Sequence, residues 1–320
     1  MGVSGYFPLR QTNIETLRLV TDWSCPDSNI ALDLASFPHL KRLSWVGLCP
    51  DAQATALAAA LARTSYQLVE LDLDLRYDGN SEVSSQVQQD DPLFARDLLG
   101  IPGRRIKKFN ALKVLSLAAV SLIPSGIGIR DSSNSSNHEE LHDRNKHVVK
   151  QISNVFDFSK IQSLKLRFCP GWQELLDLLT QYPRLVRLKS LEILSTKEDN
   201  GRGQSITRFL ESFKGLEDLF LCTSISHNPL DIWRSALHHK ATLRRIVHHQ
   251  REMDTDDESD QFEYYFDLQN LSFFPEDLAR LCANPSQNPL SELELTSVGL
   301  CSAPEYMVGR HDSTNAVLPS

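Results

Sequence analysis

One short spacing recurs along the chain: an apolar residue, two residues of any kind, Leu or Ile, one residue of any kind, and a further apolar residue. It reads Ile14-Leu17-Leu19, Leu40-Leu43-Trp45, Leu68-Leu71-Leu73, Leu112-Leu115-Leu117, Ile161-Leu164-Leu166, Leu188-Leu191-Ile193, Leu216-Leu219-Leu221 and Leu290-Leu293-Leu295. Weaker copies stand at Leu243-Ile246-His248 and Leu268-Leu271-Phe273. With the middle residue of each copy as a marker, seven of the nine successive intervals lie between 22 and 28 residues. Alternation within each copy is the period of a strand with one buried face. A nearly constant interval is what stacked units require, because each unit contributes one strand to a continuous sheet. The predicted fold class is therefore α/β, a solenoid of about nine or ten irregular strand-helix repeats.

The stretches between copies carry helical periodicity. Residues 51–64 follow Asp51 with an Ala- and Leu-rich run in which Leu57 and Leu61 stand four apart. Leu175, Leu176, Leu178 and Leu179 form one apolar stripe that ends before Pro183. Ile206, Phe209, Leu210 and Phe213 repeat it, as do Ile232, Trp233, Ala236 and Leu237 after Pro229, and Leu278 and Leu281 after Pro275. Each stripe is expected to pack on the strand layer from the convex side, with Trp233 in the core.

The segment Leu40 to Leu48, and above all Ile161-Gln-Ser-Leu164-Lys-Leu166-Arg-Phe-Cys169, resembles the leucine-rich repeat consensus LxxLxLxx(N/C). The stretch from Trp172 to Leu185 is similar to the helix and return loop of the longer repeats in F-box/LRR proteins. The resemblance covers residues 14–301 as a leucine-rich-repeat domain, after an N-terminal segment 1–13. Polar insertions fall at about 77–91, 124–147 and 251–261, and a tail over 302–320, expected to be disordered, follows. At the consensus Asn/Cys position stand Asp22, Leu48, Arg76, Val120, Cys169, Thr196, Ser224 and Val298. Cys169 alone conforms, so the loop backbone is expected to be satisfied irregularly, by Ser, Thr or water. In that family an F-box precedes the repeats and docks on a ubiquitin-ligase adaptor; no F-box pattern is visible in this chain.

Charge and motifs narrow the function. A net charge of −8 supplies no basic field for a nucleic-acid backbone. No apolar run reaches the roughly 18 to 20 residues of a membrane span. The start lacks an apolar signal region, and Tyr6 stands where a myristoylation signal needs Ser or Thr, so neither export nor a lipid anchor is expected. Six Cys without a CxxC pair suit a reducing, intracellular compartment, cytoplasmic or nuclear. A phosphate-binding Gly-Lys-Ser/Thr loop, a dinucleotide GxGxxG, a GxSxG elbow and an HExxH pair are all missing. His238-His239 read as a helix end, His248 as a core position and His249 as the following loop. The acidic run from Asp254 to Asp260 lacks the Gly of a calcium loop. No catalytic residue, cofactor or metal is expected.

What the repeat offers is a surface. Residues between the apolar positions point away from the core and line up from strand to strand. This places Arg18, Arg42, Asp72, Lys165, Arg167, Glu192, Asp218, Phe220 and Arg245 on the concave face, a mixture of charges with one aromatic, which fits a protein partner better than a small molecule. Arg42, Lys165, Arg167, Phe220 and Arg245 lead that set. The expected function is a non-enzymatic scaffold that binds a protein partner. Two alternatives stand beside it: a substrate receptor of an SCF-type ubiquitin ligase, which would bind a ligase adaptor, and a regulator of an enzyme such as a GTPase activator.

Overall fold

The computed structural model describes residues 13–21, 34–47, 52–75, 108–123, 149–150, 152–183, 186–195, 204–224, 229–251 and 288–301. Nine strands form one parallel sheet in which every strand pairs with its neighbour in sequence. They are β1 (Thr16–Val20), β2 (Arg42–Val46), β3 (Glu70–Asp74), β4 (Val114–Ala118), β5 (Ser163–Arg167), β6 (Ser190–Leu194), β7 (Asp218–Ser224), β8 (Arg245–Arg251) and β9 (Ser297–Cys301). Between them lie the α-helices α1 (Ala52–Thr64), α2 (Trp172–Thr180), α3 (Gln204–Ser212) and α4 (Pro229–Ala236). The chain is thus an α/β protein whose parallel sheet runs through consecutive strands, as in a leucine-rich-repeat-like solenoid.

The repeat spacing explains the register. Leu17, Leu43, Leu71, Leu115, Leu164, Leu191, Leu219, Ile246 and Val298 form one row across the sheet, and Leu19, Trp45, Leu73, Leu117, Leu166, Ile193, Leu221, His248 and Leu300 the next. From β2 to β7 both rows are buried, and they join Leu57, Leu61, Trp172, Leu175, Leu176, Phe209, Leu210, Ile232 and Trp233 of the helices in one apolar cluster. His248 stands where other repeats have an apolar residue. It fits because its Nδ1 accepts a 3.2 Å hydrogen bond from the Trp233 indole N–H, both side chains being buried.

Hydrogen bonds extend the ladder beyond the strands. One carbonyl just before each strand accepts two N–H groups from the next, as Lys41 O does from Val69 and Glu70 and Lys189 O from Glu217 and Asp218. At the exits, Gly47 N–H donates to Asp74 O, Ala119 to Arg167 O, Phe168 to Leu194 O and Ser195 to Cys222 O. Gly47, Ala119 and Phe168 share a left-handed backbone at this exit position, with φ of 75°, 55° and 53°. Side chains beside these exits add further bonds. The Cys169 thiol donates to Leu117 O at 3.3 Å, the Thr21 hydroxyl to Gly47 O at 2.5 Å and the Ser195 hydroxyl to Cys222 O at 3.3 Å.

The last repeat corrects the sequence reading. Strand β9 is built not on Leu290-Leu293-Leu295 but five residues later, on Leu295-Val298-Leu300, with Val298 opposite Ile246. Two overlapping copies of one spacing compete here, and the turn chemistry of the first decides. Asn288 accepts the Leu290 N–H at 3.0 Å and starts a 3₁₀ turn over Pro289–Glu292, which gives Leu290 and Leu293 to the core beside α4. Val298 is therefore a strand residue rather than a loop residue. The weak copy at 268–273 lies outside the described residues. The insertions 77–91 and 124–147, the tail 302–320 and the helix expected after Pro275 lie outside them as well. The third insertion does so except for Arg251, the last residue of β8.

Candidate functional site

The face of the sheet turned away from the helices carries all nine residues singled out from the sequence. Arg18, Asp72, Lys165, Glu192 and Phe220 occupy the third position of their strands, Arg42, Asp218 and Arg245 the first, and Arg167 the fifth. Parallel pairing without offset sets equivalent positions side by side, about 4.8 Å apart along the hydrogen-bonding direction. Opposite charges on adjacent strands therefore meet.

They do so at most of these positions. Arg245 donates to both oxygens of Asp218, at 2.5 and 2.7 Å, and this raises the guanidinium pKa further above its ordinary value. Arg42 Nε lies 3.7 Å from Glu70, and the Ser44 hydroxyl donates to Asp72 at 3.0 Å. Glu192 is shared: Arg167 Nε donates to one oxygen at 2.5 Å, and Lys165 Nζ lies 3.8 Å from the other. The cations that lead the set are thus held by carboxylates one strand away, a partnership that a row-by-row reading misses. Arg18 makes no ion pair with any of the described residues. Surface pairs of this kind contribute only about 0 to 1 kcal/mol each, so a partner that offers its own charges displaces them at little cost.

The apolar part of the face centres on Phe220. In register it stands between Glu192 and Val247, and its ring centroid is 5.8 Å from that of His249. His249 is a correction, since the sequence reading placed it in a loop. Strands β7 and β8 have seven residues where the others have five, and the alternation Arg245, Val247, His249 continues on the open face. That alternation was the available signal. At the middle of the sheet the pattern changes, because Ser116 and Ala118 of β4 are buried, 3% and 1% exposed, although they hold open-face positions.

A further described histidine, His239, belongs to the fold. His239 closes the 3₁₀ turn after α4, its ring 4.8 Å from Phe213 and its Nδ1 accepting the Leu216 N–H at 3.3 Å. Burial, then the charge of His238, pushes its pKa down to about 4. In the unfolded chain the ring titrates near 6.5, so between pH 6.5 and about 4 the unfolded state binds more protons and stability falls as the pH drops. The stabilisation is fully present above pH 6.5. Its loss by pH 4 is expected to reach about 3 kcal/mol. Urea unfolding of the parent and of His239→Phe at pH 7, 6 and 5 checks this: the parent loses stability across that range, and the variant lacks that share of the slope.

Among the described residues no three His, Cys, Asp or Glu side chains are placed to hold a metal ion. Among them, too, no helix is long and apolar enough to cross a membrane. In comparisons with known proteins, no family model, no curated protein and no solved structure matches the chain.

Proposed function

We propose that the protein is a non-enzymatic recognition scaffold that grips a protein partner on the open face of its sheet. The observation that carries this reading is the gathering, from seven strands, of Arg18, Arg42, Asp72, Lys165, Arg167, Glu192, Asp218, Phe220 and Arg245 onto one surface built on a rigid parallel sheet. Phe220, beside Val247 and His249, supplies the desolvated centre that interface energetics favour, and the charge pairs around it form the polar rim. Recognition works by shape and by exchange of ion pairs, with no covalent step.

The test is a photo-crosslinking amino acid placed at Phe220 or, on the helical layer, at the exposed Arg63 of α1. Discrete protein adducts at position 220 and not at position 63 are the expected result, and equal labelling at both sites sinks the reading. Reversal of Arg42 and Lys165 to Glu is expected to weaken the adduct-forming complex by about tenfold or more without altering the melting curve. Undiminished binding would move the contact elsewhere.

A second reading keeps the scaffold and assigns it as a substrate receptor of an SCF-type ubiquitin ligase. Its support is the repeat from Ile161 to Thr180, where the Cys169 thiol bonds to the Leu117 and Arg167 carbonyls before α2 begins, in the manner of the family that this segment resembles. Stoichiometric co-purification of a ligase adaptor is the outcome that selects it.

A further inference from the structure

The edge at which the strands begin carries its own row of side chains: Glu15, Lys41, Val69, Lys113, Gln162, Lys189, Glu217 and Arg244. Three of its cations meet a carboxylate. Lys41 pairs with Glu15 at 2.6 Å, Lys189 with Glu217 at 2.8 Å and Arg244 with Glu294 at 3.1 Å. Lys113 breaks the rule, because its neighbours in the row, Val69 and Gln162, are neutral. At this same point the surface sinks into a depression lined by Val69, Ala111, Lys113, Lys160 and Arg187, together with Ser159 and Gln162.

Three cations from three separate segments converge on that depression, and none lies within ion-pair distance of a carboxylate among the described residues. Lys160 is held in place by a 2.8 Å hydrogen bond from its Nζ to Asn110 O, with donors to spare. Asp157, on the same turn as Lys160, is engaged by that turn: the Ser159 hydroxyl donates to it at 2.6 Å and, with Lys108 and Lys160 nearby, holds its carboxyl below the ordinary range. A local excess of positive charge in a chain of net charge −8 is a feature that the fold does not need. Lys and Arg together present the point charge and the planar fork that a phosphate dianion takes up.

We propose that the depression formed by Lys113, Lys160 and Arg187 binds a phosphoryl group carried on a protein segment, a phosphoserine or phosphothreonine of the partner. The inference rests on the recognition reading above and gives it a chemical class of partner. Val69, Lys113 and Gln162 immediately precede β3, β4 and β5, so the depression lies at the end of the sheet where these strands begin, next to the first open-face positions Glu70, Val114 and Ser163. A nucleic acid is disfavoured, because its many phosphates require a continuous basic track, whereas the flanking cations of this edge are already neutralised.

The experiment uses the full chain and immobilised degenerate peptide pools centred on phosphoserine or on serine, with a single-stranded RNA of mixed sequence as a third matrix. The expected result is retention by the phosphoserine pool about tenfold above the serine pool, competed by phenyl phosphate. In the Lys113→Ala/Arg187→Ala variant, retention falls to the serine level with an unchanged melting curve, while Lys41→Ala on the same edge retains it. Equal retention by both peptide pools overturns the proposal, as does retention by RNA above the phosphopeptide, inorganic phosphate binding to which the peptide adds nothing, or full binding by the double variant. Crosslinking at Phe220 that persists through such a failure leaves the recognition reading standing and removes only this site.

Discussion

Replacing Leu219 by Ala lowers the unfolding free energy by about 2 to 5 kcal/mol. Leu219 is the middle residue of its repeat, 1% exposed, and stands in register between Leu191 and Ile246. Its side chain belongs to the continuous apolar cluster that ties β6, β7 and β8 to α3 and α4. Truncation removes buried methyl groups and leaves a cavity that backbone hydrogen bonds on both sides prevent from closing. In a stack of repeats, each unit is stable chiefly through its neighbours, so the damage spreads to both interfaces. Chemical denaturation followed by circular dichroism checks it. A midpoint equal to that of the parent would refute the placement of this row in the core.

Gly47→Val is the second large effect, expected at about 3 to 5 kcal/mol. Positive φ is not the main reason, since Ala119 and Phe168 adopt it at the equivalent exits of β4 and β5. The reason is distance. A Cβ at Gly47 would lie 2.1 Å from the carbonyl oxygen of Thr21, a backbone atom of the neighbouring repeat that cannot step aside. The same contact region holds the Thr21 hydroxyl, which donates to Gly47 O and accepts the Trp45 indole N–H at 3.1 Å, so separation of the two repeats also strips the partner of a buried tryptophan. Gly215 provides the comparison. Its φ is 100° but nothing lies within 4 Å of the added carbon, and Gly215→Ala is expected to cost only about 1 to 2 kcal/mol. Thermal melts of the two variants side by side separate the steric cause from the conformational one; equal losses would show that φ alone governs both sites.

The residues that were legible in the chain are those whose role depends on local period. Leu43 and Trp45, or Leu191 and Ile193, face the core because alternation in a strand leaves no other choice, and Phe209 and Leu210 do so because of helical spacing. The same alternation put Arg42, Lys165 and Phe220 on the open face. Local period fails where two readings share it. Leu290-Leu293-Leu295 and Leu295-Val298-Leu300 have the same spacing, and the outcome turned on an Asn288 cap and on pairing with β8. His249 is a different case: it holds the fifth position of β8, as Arg167 does in β5, so the alternation alone already points it to the open face.

The sequence by itself therefore determined the repeat, the buried face of each strand from β2 to β7, and the helices α1 to α4, because each follows from which side chains avoid water within about ten residues of chain. Only the tertiary structure decided which charges meet. Arg245 closes on Asp218, 27 residues away, Arg167 on Glu192, 25 away, and Lys113 is left facing neutral neighbours. Such partnerships depend on cross-strand register, and register is set by the packing of the whole stack rather than by any segment of it.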